Sequence, residues 1–118
     1  MALEPRARIL IVDDDRPIRD LLATVLEEAG YEITQAFNGR HALDILADAR
    51  PDLIISDLMM PVMNGVALCE YVKEHSDIAF ILMSSASNGT ESGDHDAFIA
   101  KPFDLDSLES LIETVLRR

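Results

Sequence analysis

The sequence predicts an α/β fold, a doubly wound parallel sheet of five strands with helices on both faces. Three observations carry that prediction. Apolar runs of strand length alternate with amphipathic helical stripes along the chain. The strongest runs, Ile9-Leu10-Ile11-Val12, Leu53-Ile54-Ile55 and residues 78–83, are continuously apolar, as strands buried on both faces must be. These runs also end in polar residues: Asp13-Asp14-Asp15, then Asp57, then Ser84-Ser85, with Lys101-Pro102 closing the short run Ala97-Phe98-Ile99-Ala100. In a parallel sheet those residues meet at the carboxyl ends of the strands, where open α/β sheets keep their ligands.

Each element has its own signal. After the first strand, Ile18, Leu21, Leu22, Val25, Leu26 and Ala29 fall on one helical face, with Pro17 in the first turn and Gly30 as the stop. Residues 31–36 are β-rich and read as a short second strand. Asn38-Gly39 turns the chain and caps a helix running to Asp48, with Leu43, Leu46 and Ala47 facing inward. Pro51 ends that helix and a third strand covers 52–57. Residues 60–65 read as a loop, followed by a helix with Leu68, Tyr71 and Val72 inward and a fourth strand over 78–83. At the far end Asp104 caps a final helix whose stripe is Leu105, Leu108, Leu111, Ile112, Val115 and Leu116.

Residues 86–96 break the rhythm. They contain no large apolar residue, two glycines and many turn formers. From Ser85 to Lys101 is only 16 positions, whereas a βαβ crossover alone takes about 10–12 residues or more. The expected fourth helix is therefore absent or reduced to a mobile loop, because no apolar stripe exists to hold it on the sheet.

Composition narrows the function. With 118 residues the chain is expected to be one domain, 1–118. A net charge of −12 and only two lysines, Lys73 and Lys101, leave no basic patch for nucleic acid. The single cysteine, Cys69, cannot form an internal disulfide and is expected to be structural, in a reducing compartment. No apolar run reaches the roughly 20 residues of a membrane span. The expected location is cytoplasmic.

Clustered carboxylates with one ammonium point to a hard divalent cation and a phosphoryl group. Mg²⁺ takes oxygen ligands, commonly one or two carboxylates with water and phosphate. It offsets the charge of an incoming phosphoryl group while a carboxylate oxygen attacks, giving an aspartyl phosphate. A strand-end hydroxyl, Ser84 or Ser85, and the Lys101 ammonium would hold the remaining phosphoryl oxygens. Asp15 reads as a helix cap, but capping alone accounts for neither Ser85 nor Lys101. Met59, Met60 and Met63 read as loop and core filler, since Mg²⁺ rejects thioether. His41, His75 and His95 lack ligand spacing and are expected to be exposed.

Four motifs in order resemble the receiver domain of two-component response regulators: Ile11-Val12-Asp13-Asp14, Ser56-Asp57-Leu58-Met59-Met60-Pro61 with Asn64-Gly65, Ser85-Ala86, and Lys101-Pro102-Phe103. The resemblance implies a flavodoxin-like strand order, 2-1-3-4-5. It implies Asp57 as phosphoacceptor, Asp14 as direct Mg²⁺ ligand, Asp13 as a partner acting largely through water, and the Met59 carbonyl as a further ligand. Ser85 is similar to the switch hydroxyl and Lys101 to the phosphate-pairing lysine. Phe98 occupies the aromatic switch position, as either a moving switch or a packed core aromatic. Met59 and Ser87 stand where the lifetime of the acyl phosphate is tuned; neither suits orienting water, so hydrolysis is expected to be slow.

The implied donor is a sensor histidine kinase or histidine phosphotransfer protein, and the recipient of the signal is an unknown protein target. A monomer or weak dimer is expected, without direct nucleic-acid or membrane contact. No output segment follows the last helix, so the chain reads as a stand-alone or excised receiver. It would be a switch catalysing its own phosphorylation and dephosphorylation rather than a metabolic enzyme. Two alternatives stay open. One is a haloacid-dehalogenase-like phosphatase with Asp13 as nucleophile, although Pro17 departs from that pattern. The other is a degenerate receiver acting only as an interaction module.

Overall fold

β-branched and leucine-rich segments with no polar alternation can be stable only between two apolar layers, and that is where they lie. The computed structural model describes residues 6–84 and 95–117. In chain order it comprises β1 (Arg8–Val12), α1 (Arg16–Glu28), β2 (Glu32–Ala36), α2 (Gly39–Leu46), β3 (Leu53–Asp57), α3 (Gly65–His75), β4 (Ala79–Ser84), β5 (Ala97–Ala100) and α4 (Leu105–Leu116). All strand pairs are parallel, in the order β2-β1-β3-β4-β5. This is the flavodoxin-like arrangement.

Alternate strand residues separate the two layers. Ile9, Ile11, Leu53, Ile55, Ile81 and Met83 pack against α1 and α4, through Leu22, Leu26, Leu108 and Ile112. Leu10, Val12, Ile54, Phe80 and Leu82 pack against α2 and α3, through Ala42, Leu68, Cys69 and Val72. Each fully buried large side chain contributes about 1.5–3 kcal/mol relative to exposure, so the sheet's position is fixed by its two greasy faces. Cys69 is buried in this core, as its structural reading requires.

Helix starts follow the capping chemistry of the sequence. Asp15, Asn38, Asn64 and Asp104 accept the backbone N–H of Ile18, His41, Ala67 and Ser107 at 3.5, 2.8, 2.8 and 2.7 Å. The bonds from Ser107 hold the Asp104 carboxyl below its ordinary value. Gly30, at φ +101°, turns the chain after α1 through a conformation that side chains rarely tolerate.

Several inward assignments shift. Leu21 is 52% exposed, and Ala23 is buried instead. Tyr71 is 43% exposed and stacks on His75, while Cys69 takes the inward place. α2 ends at Leu46, short of Asp48, and Ala47 is its exposed C-cap. His41 is half-buried rather than exposed: its Nδ1 accepts the Phe37 N–H at 3.1 Å and its ring stacks on Phe37. His95 is half-buried as well. The missing fourth helix and its replacement by a loop were expected over residues 86–96, of which 86–94 lie outside the described residues. No helix among the described residues is long and apolar enough to cross a membrane.

Candidate functional site

Strand register brings the strand-end residues together. Val12 pairs with Ser56, Asp57 with Met83 and Ser84 with Ala100. Asp13, Asp57 and Lys101 therefore arrive at one edge of the sheet, over its central strands. Asp13 is fully buried (0% exposed) and Asp57 retains 8% exposure. Lys101 Nζ bridges them, 3.3 Å from Asp13 Oδ2 and 3.4 Å from Asp57 Oδ1. The second oxygen of Asp13 accepts the Asp15 N–H at 2.9 Å. Asp14 is exposed at the mouth.

The charges do not balance. Burial pushes the Asp57 carboxyl above its ordinary value; Lys101 pulls it back, but Asp13 and Asp14 push it up again, and the net shift is upward. Burial pulls the Lys101 ammonium down, yet the attraction of Asp13 and Asp57 outweighs it, so it too ends raised and stays charged at neutral pH. Three carboxylates against one ammonium leave room for a cation. Asp13, Asp14 and Asp57 can each offer an oxygen, all within 4.8 Å of one another. Oxygen-only donors in that number suit Mg²⁺, which keeps several waters of its own. The residues present fit the ion.

Behind Asp57, the chain makes room for a helix. Leu58 N–H donates to the Met83 carbonyl at 2.8 Å and Gly65 N–H to the Leu58 carbonyl at 2.9 Å. A Cβ on Gly65 would collide with the Asp57 carbonyl and stand 2.8 Å from Leu82 Cδ1. Only glycine lets α3 begin this close to β3. Gly65→Ala should cost about 1–3 kcal/mol, the range for overpacking a tight interior; a urea melt against the parent protein checks this.

Other anticipated residues are placed less centrally. Met59 lies in the loop two residues past Asp57 and is 66% exposed, while Met60 and Met63 pack against the core, so the three divide between loop and core filler. Phe98 is half-buried on β5 and packs against the core layer of α2 and α3. Ser84 is buried at the end of β4, and its carbonyl accepts the Lys101 N–H at 2.8 Å. Ser85 and Ser87 lie outside the described residues.

Two interactions escaped the sequence reading. Lys73 Nζ meets Asp96 Oδ2 at 2.7 Å, and the same oxygen accepts the Phe80 N–H at 2.7 Å, tying the entry of β5 to β4 and α3. Arg19 donates to the Asp13 carbonyl at 2.7 Å and to Gln35 Oε1 at 3.2 Å. No spacing rule links those residues, which come from different elements.

Comparison with known proteins gives a consistent answer. Residues 9–113 match the family model described as response regulator receiver domain. A probable transcriptional regulator, ycf27, of Guillardia theta is 36% identical over 98% of this chain and 48% of its own length. The response regulator MprA of Mycolicibacterium vanbaalenii is 37% identical over 94% of this chain and 51% of its own. The chain thus spans about half the length of these curated relatives. Among solved structures, the signal receiver domain of a histidine kinase from Syntrophus aciditrophicus superposes with a TM-score of 0.88 at 38% identity, covering 94% of this chain and 90% of that one. The response regulator TrrA of Thermotoga maritima, in complex with Mg²⁺ and BeF, gives 0.85 at 34% identity, covering 92% and 97%.

Proposed function

Because the chain belongs to the response regulator receiver domain family, we propose that it is a phosphorylation switch in which Asp57 accepts a phosphoryl group from a phosphohistidine. One observation supports this most: a single ammonium, Lys101, spans a sealed carboxylate, Asp13, and a slightly open one, Asp57, beside the exposed Asp14.

In the proposed reaction an oxygen of Asp57 attacks phosphorus. The O–P bond forms as the P–N bond to the donor histidine breaks, and the imidazole leaves with the electron pair. Mg²⁺, held by Asp13, Asp14, Asp57 and the Met59 carbonyl, would neutralise phosphoryl charge. Lys101, released from Asp57, pairs with a phosphoryl oxygen, and the Ser85 hydroxyl donates to another. Phe98 then carries the change toward the partner surface. The donor is a sensor histidine kinase or histidine phosphotransfer protein, and the readout is binding of a downstream protein. We place this activity in a single cytoplasmic domain, residues 1–118.

The phosphatase alternative has little support. Its nucleophile, Asp13, is fully buried with both carboxylate oxygens engaged. The decisive test is incubation with acetyl phosphate in Mg²⁺ or in EDTA, followed by intact mass measurement. One phosphoryl addition that requires Mg²⁺ is the expected result. No addition under either condition would leave only the interaction-module reading.

Met59 gives a second prediction. Its exposed thioether, two residues past Asp57, cannot orient a water as a carboxamide can. Met59→Asn should shorten the acyl-phosphate lifetime several-fold, read as decay of the phosphorylated species; equal or slower decay would contradict the assignment.

A further inference from the structure

The three site carboxylates are not held alike. Asp13 is fixed by Lys101 and the Asp15 N–H, and Asp57 by Lys101. Among the described residues, Asp14 has no side-chain hydrogen bond or ion pair. Its carboxylate can be aimed only by its backbone.

That backbone is gripped from one side by an unusual donor. Arg19 on α1 is half-buried and, among the described residues, forms no ion pair. This is in a chain where 22 acids face 10 bases. Its Nη1 donates instead to the Asp13 carbonyl, at 2.7 Å, a short charge-assisted bond. Its Nε donates to Gln35 Oε1 at 3.2 Å, and Gln35 stands on β2 opposite Ile11 of β1. The Asp13 N–H is meanwhile bound to the Ala36 carbonyl at 3.2 Å.

We propose that Arg19, steadied by Gln35, is a positioning residue that aims the Asp14 carboxylate by fixing the Asp13–Asp14 peptide. A peptide is planar, so its carbonyl oxygen and the following N–H and Cα move as one rigid plate. Pinning the Asp13 oxygen therefore sets where the Asp14 side chain departs. The guanidinium makes this grip because its planar fork reaches two acceptors in fixed geometry; a lysine ammonium is a point on a flexible stem. The functional consequence rests on the reading of Asp13, Asp14 and Asp57 as a Mg²⁺ site. Supports of this kind around metal ligands typically carry 10–100-fold in affinity.

The test uses the full chain and the variants Arg19→Met, Arg19→Lys and Gln35→Met. Methionine keeps much of the apolar stem and removes both donors. Mg²⁺ affinity is measured by calorimetry with MgCl₂. The order parameter of the Asp14 amide is measured by NMR relaxation without metal. Arg19→Met should weaken Mg²⁺ binding about tenfold and loosen the Asp14 amide, while the melting temperature in EDTA changes little. Arg19→Lys should recover part of both, and Gln35→Met should show a smaller loss in the same direction. Parent-like Mg²⁺ affinity with an unchanged Asp14 amide in Arg19→Met overturns the proposal. If Arg19→Met does not fold, the same two readouts on Gln35→Met decide it. Absence of Mg²⁺ binding by the parent chain would defeat the metal reading, whereas the Asp14 amide, which needs no metal, still decides the role of Arg19.

Discussion

Replacing Asp57 by asparagine should abolish phosphoryl uptake and, in the absence of metal, raise the melting temperature. The first effect follows from losing the nucleophilic carboxylate. The second follows from the sign of its proton linkage. The folded Asp57 carboxyl is raised, chiefly by burial, with Asp13 and Asp14 adding to it against Lys101. The folded state therefore holds this proton more tightly than the unfolded chain does. The group favours folding while protonated, and that contribution is lost as pH rises through the unfolded value to the raised folded one. At neutral pH the metal-free protein carries the cost. Asparagine preserves the shape and removes the charge, and Lys101 keeps Asp13 as its partner. A gain of several degrees is expected, since about 1 kcal/mol moves the midpoint of a domain this size by about 4 °C. The gain should shrink as pH falls and the parent Asp57 becomes protonated. Melting curves of both proteins in EDTA across acidic to neutral pH check the sign; an asparagine variant melting lower throughout would contradict it.

Magnesium should stabilise the folded protein strongly. A ligand bound only by the folded state adds about 2.7 kcal/mol at 100 times its Kd, or about 10 °C here. The gain should vanish on adding EDTA. Asp14→Ala should lose most of it, because the exposed Asp14 supplies one of the three oxygens that lie within 4.8 Å. Thermal melts of parent and variant over a MgCl₂ titration measure both. A parent midpoint that does not move at any metal concentration would remove the cation from the account.

The parts visible in sequence were those governed by short-range rules. β1, β3 and β4 are continuous apolar runs, and burial on both faces follows from that alone. Asp15, Asn38 and Asp104 announce their helices because a short polar side chain can satisfy a free N–H, whereas Asn64, read only as part of a loop, caps α3 by the same chemistry. Asp13, Asp57 and Lys101 were legible as a site because each ends a strand of one parallel sheet. Helical stripes gave direction but not centring. In α1 and α3 the stripe is rotated toward the small Ala23 and Cys69, which let the helix approach the sheet, and the bulkier Leu21 and Tyr71 swing outward. The Arg19–Gln35 support and the Lys73–Asp96 pair depend on how helices sit on the sheet, and no local pattern encodes that.

Asp57, and no other carboxylate, should become phosphorylated. Borohydride reduction of the protein treated with acetyl phosphate and Mg²⁺ converts an aspartyl phosphate to homoserine, which peptide mass spectrometry can locate. Homoserine at residue 57 alone, and none in the Asp57→Asn variant, is the predicted result. Homoserine at residue 13, or undiminished trapping in Asp57→Asn, would contradict it.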